Sequence, residues 1–210
     1  MTYALTSPTT VSVGLNYENE GFESGVTGVV TIPKEVNGYT VTSVAPWAFS
    51  GRKTTSVILP PTVTTIDIYA FYLNTNMTFI TIPASVETIG ENAFMDCTNL
   101  TCVVAEGTTP PVLTETSFPT RTNVTLYVPK GSKATYEAAD YWKEFKATVE
   151  MLEGDANGDE TVNITDAESV VNYILGNPSG TFIHPSADVN KDGKVNITDA
   201  VGIVNLTGGK

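Results

Sequence analysis

Two acidic stretches in the last quarter of the chain carry the residues best suited to chemistry. The first reads Asp155-Ala156-Asn157-Gly158-Asp159-Glu160-Thr161-Val162-Asn163-Ile164-Thr165-Asp166. The second reads Asp188-Val189-Asn190-Lys191-Asp192-Gly193-Lys194-Val195-Asn196-Ile197-Thr198-Asp199 and begins 33 residues later. Side-chain oxygens fall at loop positions 1, 3, 5, 9 and 12 of both: Asp155, Asn157, Asp159, Asn163 and Asp166, then Asp188, Asn190, Asp192, Asn196 and Asp199. Position 7, Thr161 or Lys194, offers its backbone carbonyl. Hard Ca²⁺ takes about six to eight oxygen ligands, and a twelve-residue loop supplies them at this spacing. Two ions are expected, one per loop. Position 8 is Val162 or Val195, expected to join the loops by a short strand contact over a small core.

Elements that hold such loops follow from periodicity and from breakers. Helices are predicted over Thr165–Leu175 and from Thr198 to about Leu206; Ala167, Val170, Val171 and Ile174 recur as one helical face. No helix is expected to lead into either loop. Gly154 precedes the first, and Pro178, Gly180 and Pro185 interrupt the approach to the second. Loop plus exiting helix, twice, with Asn-Ile-Thr-Asp in each copy and Asp rather than Glu at position 12, resembles the type I dockerin module over residues 154–210. The resemblance implies a cohesin as partner, touched through loop positions 10 and 11: Ile164 and Thr165, Ile197 and Thr198. Position 6 is Gly193 in the second loop and Glu160 in the first. That turn needs positive φ, so strain at Glu160 is expected to leave loop 1 the weaker binder.

Upstream the chain repeats. Pro60, Pro83, Glu106 and Pro129 are spaced by 23, and Ala48-Phe49, Ala70-Phe71, Ala93-Phe94 and Ser117-Phe118 by 22, 23 and 24. Val44, Ile66 and Ile89 each stand five residues before a Phe. A period of 20–29 residues is that of a leucine-rich solenoid. The pattern I-x-x-x-A-F…L-T-x-V-x-I-P resembles BspA-like (treponemal-type) leucine-rich repeats. About four units of 23 residues are recognisable over residues 33–130, with an insertion at residues 34–39 behind Pro33. The fold class expected is mainly β: a right-handed, β-rich leucine-rich-repeat solenoid (residues 1–153), followed by a small α-helical double calcium-loop domain (154–210). Residues 1–32 alternate like a β cap with turn residues Asn16, Asn19 and Gly21. Ser132 to about Lys146 reads as a helical cap, with Ser132 as N-cap and Tyr136, Trp142 and Phe145 closing the exposed solenoid end.

The period also orients the strands. The pairs Val57/Leu59, Ile80/Ile82, Val103/Ala105 and Leu126/Val128 must face inward. Ile58, Phe79, Val104 and Tyr127 then point outward as an apolar row, expected to form a partner-binding surface. Asn74 and Cys97 hold equivalent positions. Such repeats use Asn or Cys there for inner backbone groups, which implies a buried free thiol; Cys102 lies on the outer row, so no disulfide is expected.

Composition excludes some partners. The chain has 210 residues and net charge −12, of which residues 1–153 carry −7 and residues 154–210 carry −5. Nucleic acid and anionic lipid are not expected ligands, and no stretch is apolar enough to span a membrane. Met1-Thr2-Tyr3-Ala4-Leu5 lacks a leader's basic and apolar regions, so an exported form is expected to have lost its signal peptide. No catalytic constellation is found. His184 is the only histidine, and a dyad would depend on it.

The expected function is a non-catalytic, secreted or cell-surface adhesion protein. Its repeats would bind a host or bacterial surface protein or glycan, and its calcium module would attach to a cohesin scaffold. Two alternatives stand beside it: a calcium module that only stabilises the solenoid, and an accessory part of a polysaccharide-degrading complex.

Overall fold

The computed structural model describes residues 3–7, 10–13, 27–177, 181–192 and 194–208. The chain divides into two compact units, Met1–Thr148 and Val149–Lys210.

The first unit is a mainly β solenoid. Strands β1 (Tyr3–Leu5) and β2 (Thr10–Val13) pair antiparallel, and β2 runs parallel to β5 (Tyr39–Val44). Thus an N-terminal hairpin is present, whereas Asn16, Asn19 and Gly21 lie outside the described residues. Strand β3 (Thr27–Thr31) pairs parallel with β6 (Lys53–Ile58), which makes the segment before Pro33 a coil of the solenoid. The insertion is a hairpin: β4 (Glu35–Val36) folds antiparallel onto β5 through Asn37 and Gly38, both at positive φ (51° and 82°). Asn-Gly adopts this backbone at little cost, and its twist matches the flanking strands.

Later coils each contribute two short strands. On one side β5, β7 (Thr65–Ile66) and β9 (Thr88–Ile89) pair parallel. On the other, β8 (Phe79–Ile82), β10 (Cys102–Ala105) and β11 (Thr125–Val128) do the same, followed by β12 (Ala147–Glu150). The register aligns Phe79, Cys102 and Thr125, so each column repeats from coil to coil. The two inward columns, Val57, Ile80, Val103 and Leu126 with Leu59, Ile82, Ala105 and Val128, are buried as the period requires. At the turn between the sheets, Phe49, Phe71, Phe94 and Phe118 stack with ring centroids 5.3, 5.0 and 4.3 Å apart and planes within 13°.

Buried polar groups follow the same columns. Asn74 Nδ2 donates to the carbonyls of Phe49 (2.6 Å) and Phe71 (2.9 Å), and its Oδ1 accepts from the Thr54 hydroxyl. One coil on, the Cys97 thiol donates to Phe71 O at 3.1 Å. Both cysteines are free and buried. Burial pushes both thiols up to about 12, so neither is a reactive thiolate near neutral pH. At Gly90 the coils approach too closely for any side chain, since a Cβ would lie 2.6 Å from Ile68 N.

The end of the solenoid is closed, but not by one helix. Helix α1 (Lys133–Ala138) is short, and a single 3₁₀ turn (Trp142–Glu144) follows after Tyr141 at φ 65°. Ser132 precedes α1 without capping it through its side chain; its carbonyl instead accepts the N–H groups of Thr135 and Tyr136. Trp142 and Phe145 pack on Phe118. Tyr136 and Trp142 donate their polar atoms to Gly107 O (2.8 Å) and Pro111 O (2.7 Å), which lets two large rings be buried without unpaired donors. Arg121, only 9 % exposed, ties the cap down by two hydrogen bonds to Glu144 Oε2 (2.8 and 2.6 Å) and two to backbone carbonyls.

The outer row departs from expectation. Phe79, Val104 and Tyr127 are buried (9, 0 and 8 % exposed), as is Cys102; Ile58 is partly buried. They do not form a free binding surface. A parallel sheet is commonly covered on both faces, and its strands then read as unbroken apolar runs. Cys102-Val103-Val104-Ala105, buried at all four positions, is such a run.

The second unit is α-helical. Helix α2 (Ile164–Ile174) packs on α4 (Ile197–Gly208), and a one-turn helix α3 (His184–Ala187) lies between them in sequence. Pro185 sits in the first turn of α3, where its missing N–H has no intrahelical partner to lose. A short helix therefore does enter the second loop, ending at Asp188. Pro178 and Gly180 fall outside the described residues.

Candidate metal loops and helix groove

Both loops fold on themselves through hydrogen bonds from their own backbone N–H groups to the side-chain oxygens. In loop 1, Asp155 Oδ1 accepts the N–H groups of Gly158 (2.8 Å) and Asp159 (3.0 Å), and Oδ2 accepts that of Glu160 (2.9 Å). Asn157 Oδ1 accepts Asp159 N–H, and Asp159 Oδ1 accepts Thr161 N–H, each at 2.9 Å. Asp166 closes the ring: Oδ1 accepts Asn157 N–H (3.1 Å), and Oδ2 accepts Asn163 N–H (2.9 Å). Asn163 in turn caps α2 through Thr165 N–H, so the last two candidate ligand positions are set by the helix's own capping box. Loop 2 repeats the pattern. Asp188 and Asn190 accept Asp192 N–H (3.2 and 2.9 Å), and Asp192 accepts Lys194 N–H (2.9 Å). Asp199 accepts Asn190 N–H (3.4 Å) and Asn196 N–H (3.0 Å), and Asn196 accepts Thr198 N–H (2.9 Å).

The donor set fits a hard cation. All ten side chains at positions 1, 3, 5, 9 and 12 offer oxygen, and a carboxylate has about four lone-pair sites, more than the N–H groups each accepts here. Asp155, Asp166 and Asp199 are 4, 0 and 0 % exposed, and no ion pair among the described residues reaches Asp155 or Asp166. Burial, with the neighbouring Asp166 charge adding to it, holds the Asp155 carboxyl above the usual carboxylate range, although three N–H groups pull the other way. Such carboxylates favour a cation at the loop centre. Among the described residues no three Asp, Glu, His or Cys side chains already converge as a metal cluster; the set is mixed, with amide and carbonyl oxygens between the carboxylates. Val162 and Val195 pack beside the small core, but no strand ladder joins them among the described residues.

Backbone strain is shared between the loops. Glu160 has φ 67°, as its position 6 requires, but position 4 is left-handed too: Gly158 at 73° in loop 1 and Lys191 at 59° in loop 2. Each loop therefore carries a non-glycine residue in the strained region, and the expected weakness of loop 1 loses its basis; Gly193 lies outside the described residues. Glu160→Gly and Lys191→Gly should each raise Ca²⁺ affinity. About 1–2 kcal/mol of strain is relieved, and the freer unfolded chain returns about 0.4–1 kcal/mol of that. Calorimetric titration of each single variant should show a tighter site; a variant that binds no more tightly than the parent would count against the strain argument.

His184 is partly buried, with its ring edge-on to Tyr173 (5.8 Å) and Phe182 (6.4 Å), and burial lowers its pKa. It packs in the small core of the second unit.

The two helices are apolar on more than one face. Ala167, Val170, Ala200 and Ile203 are buried between them. Ile164 (55 % exposed) and Ile197 (60 %) are open to solvent, as are Val171, Val201 and Val204. Together they line a groove of about 640 Å³ along α2 and α4, with Glu168 and Asn172 at its side. Thr165 and Thr198 are exposed next to the two isoleucines. Periodicity placed Val171 and Ile174 on the buried face; both are exposed. Val201 and Val204 were missed, although their spacing from Ile197, four and seven residues, carried the signal.

Comparison with known proteins agrees with both units. The BspA-type leucine-rich-repeat region matches residues 27–124 in six copies, more than the four legible in the sequence. The type I dockerin domain matches residues 153–205. No curated protein matches the chain. Among solved structures, a leucine-rich cell surface protein from Faecalibacterium prausnitzii shares 23 % identity over 70 % of this chain and 40 % of its own (TM-score 0.45). A leucine-rich-repeat protein from Bacteroides ovatus shares 25 % over 70 % and 39 % (TM-score 0.43). A leucine-rich-repeat protein of T. pallidum shares 16 % over 81 % and 92 % (TM-score 0.47). The chain spans about 40 % of the length of the first two. No helix among the described residues is long and apolar enough to cross a membrane.

Proposed function

We propose, for a chain that is a BspA-type leucine-rich-repeat protein carrying a type I dockerin domain, that it is a non-catalytic extracellular or cell-surface binding protein. Its second unit, loaded with two Ca²⁺ ions, docks on a cohesin, and its repeats hold a protein or glycan ligand. Both families are binding domains, and type I dockerin domains bind calcium.

The groove between α2 and α4 carries the docking half of this reading. Five aliphatic side chains stand open along two helices of 11 and 12 residues. On a unit this small, an apolar stripe flanked by polar residues marks a surface that is covered by a partner. Ile164-Thr165 and Ile197-Thr198 occupy equivalent places at the starts of the two helices, so the surface has an approximate internal twofold symmetry. Two docking orientations follow from it.

Capture of the 210-residue chain by immobilised type I cohesins tests this. Binding is expected with Ca²⁺ and is lost in EDTA. Replacing Ile164 and Thr165 by Asp removes one orientation and should weaken binding only about twofold, ~0.4 kcal/mol. Replacing both pairs should abolish it. If the first pair alone eliminates capture, the two orientations do not exist. If no cohesin is captured in Ca²⁺, the docking role falls.

A further inference from the structure

The coil of the solenoid brings three partly exposed aromatic side chains together at one corner. Trp47 and Tyr69 hold the same place in successive coils, two residues before Phe49 and Phe71. Their rings stack with centroids 4.1 Å apart and planes 10° apart. Tyr72 stands edge-on to both, at 5.7 and 5.6 Å. This is a second ladder, outside the phenylalanine ladder of the core. Phe49 and Phe71 are fully buried, whereas Trp47, Tyr69 and Tyr72 are each only partly so.

The backbone at these positions makes the choice of residue informative. Trp47, Tyr69 and Asn92, one per coil, all lie in the left-handed region (φ 61°, 55° and 56°). Asn visits that region readily, whereas a bulky side chain there is an outlier. Asn92 shows that a small polar residue serves the turn. The solenoid therefore does not need rings at Trp47 and Tyr69, and it carries them against the local preference of the chain. Strain kept at a partly exposed position is a reason to look for function there.

The ladder also ends in a specific way. After Tyr69 the column continues with Asn92 and Thr116. Asn92 Nδ2 donates to the Tyr69 hydroxyl at 3.0 Å, and the Thr116 hydroxyl accepts the Asn92 N–H at 3.3 Å. An aromatic wall thus gives way to a step lined by a phenol, an amide and a hydroxyl.

We propose that this corner is a glycan-binding subsite that takes one neutral pyranose. It specifies the ligand half of the function proposed above and rests on that reading. The C–H bonds on one face of a pyranose are weakly positive and pack on the negative π face of an aromatic ring. Its hydroxyls both donate and accept, as do the amide and hydroxyl groups of the step. Three rings are too small an area for a stable protein interface, which buries about 800 Å² per partner. Residues 1–153 carry a net charge of −7, which disfavours sulfated or uronate sugars.

The chain has two tryptophans, and Trp142 is 1 % exposed, so quencher-accessible emission comes from Trp47. The Ca²⁺-loaded chain is titrated with cellohexaose, maltohexaose, mannohexaose and xylohexaose, and with a heparin hexasaccharide. At least one neutral hexasaccharide should shift the emission and protect it from acrylamide, with Kd of about 1 mM or tighter. By calorimetry, Trp47→Ala and Tyr72→Ala should each lose about tenfold in affinity or more, Tyr69→Phe less, and heparin should not bind. Melting curves accompany each variant, and Trp47→Asn, which suits the left-handed backbone, replaces the alanine variant if that one unfolds.

Failure of all four neutral sugars to protect Trp47, undiminished binding by the folded Trp47 variants, or equal binding of heparin would each overturn the proposal. Cohesin capture is run on the same preparations and should be unchanged by Trp47→Ala. A preparation that docks yet ignores every sugar refutes this subsite alone; one that binds sugar without docking removes only the cohesin reading.

Discussion

Chelating Ca²⁺ with EDTA is expected to unfold the second unit while the solenoid keeps its own melting transition. The core of that unit is small: among the described residues its buried apolar cluster is Ala156, Ala167, Val170, Phe182, Ala187, Ala200 and Ile203, and four of these are alanines. Two helices of 11 and 12 residues are marginal in isolation. Against that small gain stand Asp155, Asp166 and Asp199, buried carboxylates whose lost hydration costs several kcal/mol per ion when no cation compensates it. Small domains of this kind depend on the metal for their folding energy. Hydrogen exchange should show the amides of Val170 and Ile203 protected in Ca²⁺ and near the unfolded rate in EDTA, with those of Ile80 and Val103 unchanged. Equal protection of α2 and α4 in both conditions would show that the helices stand without the ion.

The largest effect of a single substitution is expected at Phe94. Its ring is fully buried and stacks on Phe71 at 5.0 Å and on Phe118 at 4.3 Å. Removing a buried Phe side chain costs about 3–5 kcal/mol, and less where the surroundings can collapse. They cannot collapse here, because the rung spacing is held by strand pairing on two sides, β7 with β9 and β8 with β10. In a solenoid each coil is stabilised by its neighbours, so a gap in a middle rung also weakens the coupling of the coils on either side. Phe94→Ala should lower the Tm of the solenoid by roughly 10 °C or more, taking ~2–4 °C per kcal/mol for a unit of this size, and leave the calcium-dependent transition in place. A fall of under about 3 °C would mean that the ladder repacks.

Phe79 is buried, so Phe79→Ser belongs with the core substitutions and should cost about 3–5 kcal/mol.

Much of the molecule was legible because its elements repeat. A 23-residue period assigns every strand residue to a column, so Ile80, Val103 and Leu126 could be placed inside without a structure; all three are fully buried. The two acidic loops were equally plain as candidates, since oxygen ligation would fix residue type and spacing within twelve residues. The Asn74 and Cys97 positions followed from the same register, and each hydrogen-bonds the Phe71 carbonyl.

Other features depend on what covers or crosses a segment, and local pattern does not encode that. An apolar outer row at Phe79, Val104 and Tyr127 reads alike whether it faces solvent or is buried, so only the folded chain decided between a binding face and a two-sided sheet. Val170 and Val171 are neighbours on one helix, yet the first is buried and the second open, because packing against α4 selects a narrower stripe than the periodicity marks out. The left-handed backbone at Lys191 came from how the loop wraps its first aspartate, a constraint that residue type alone did not announce. Trp47 and Tyr69 are 22 residues apart in the chain, and their rings meet at 4.1 Å because one coil of the solenoid returns the backbone to the same corner.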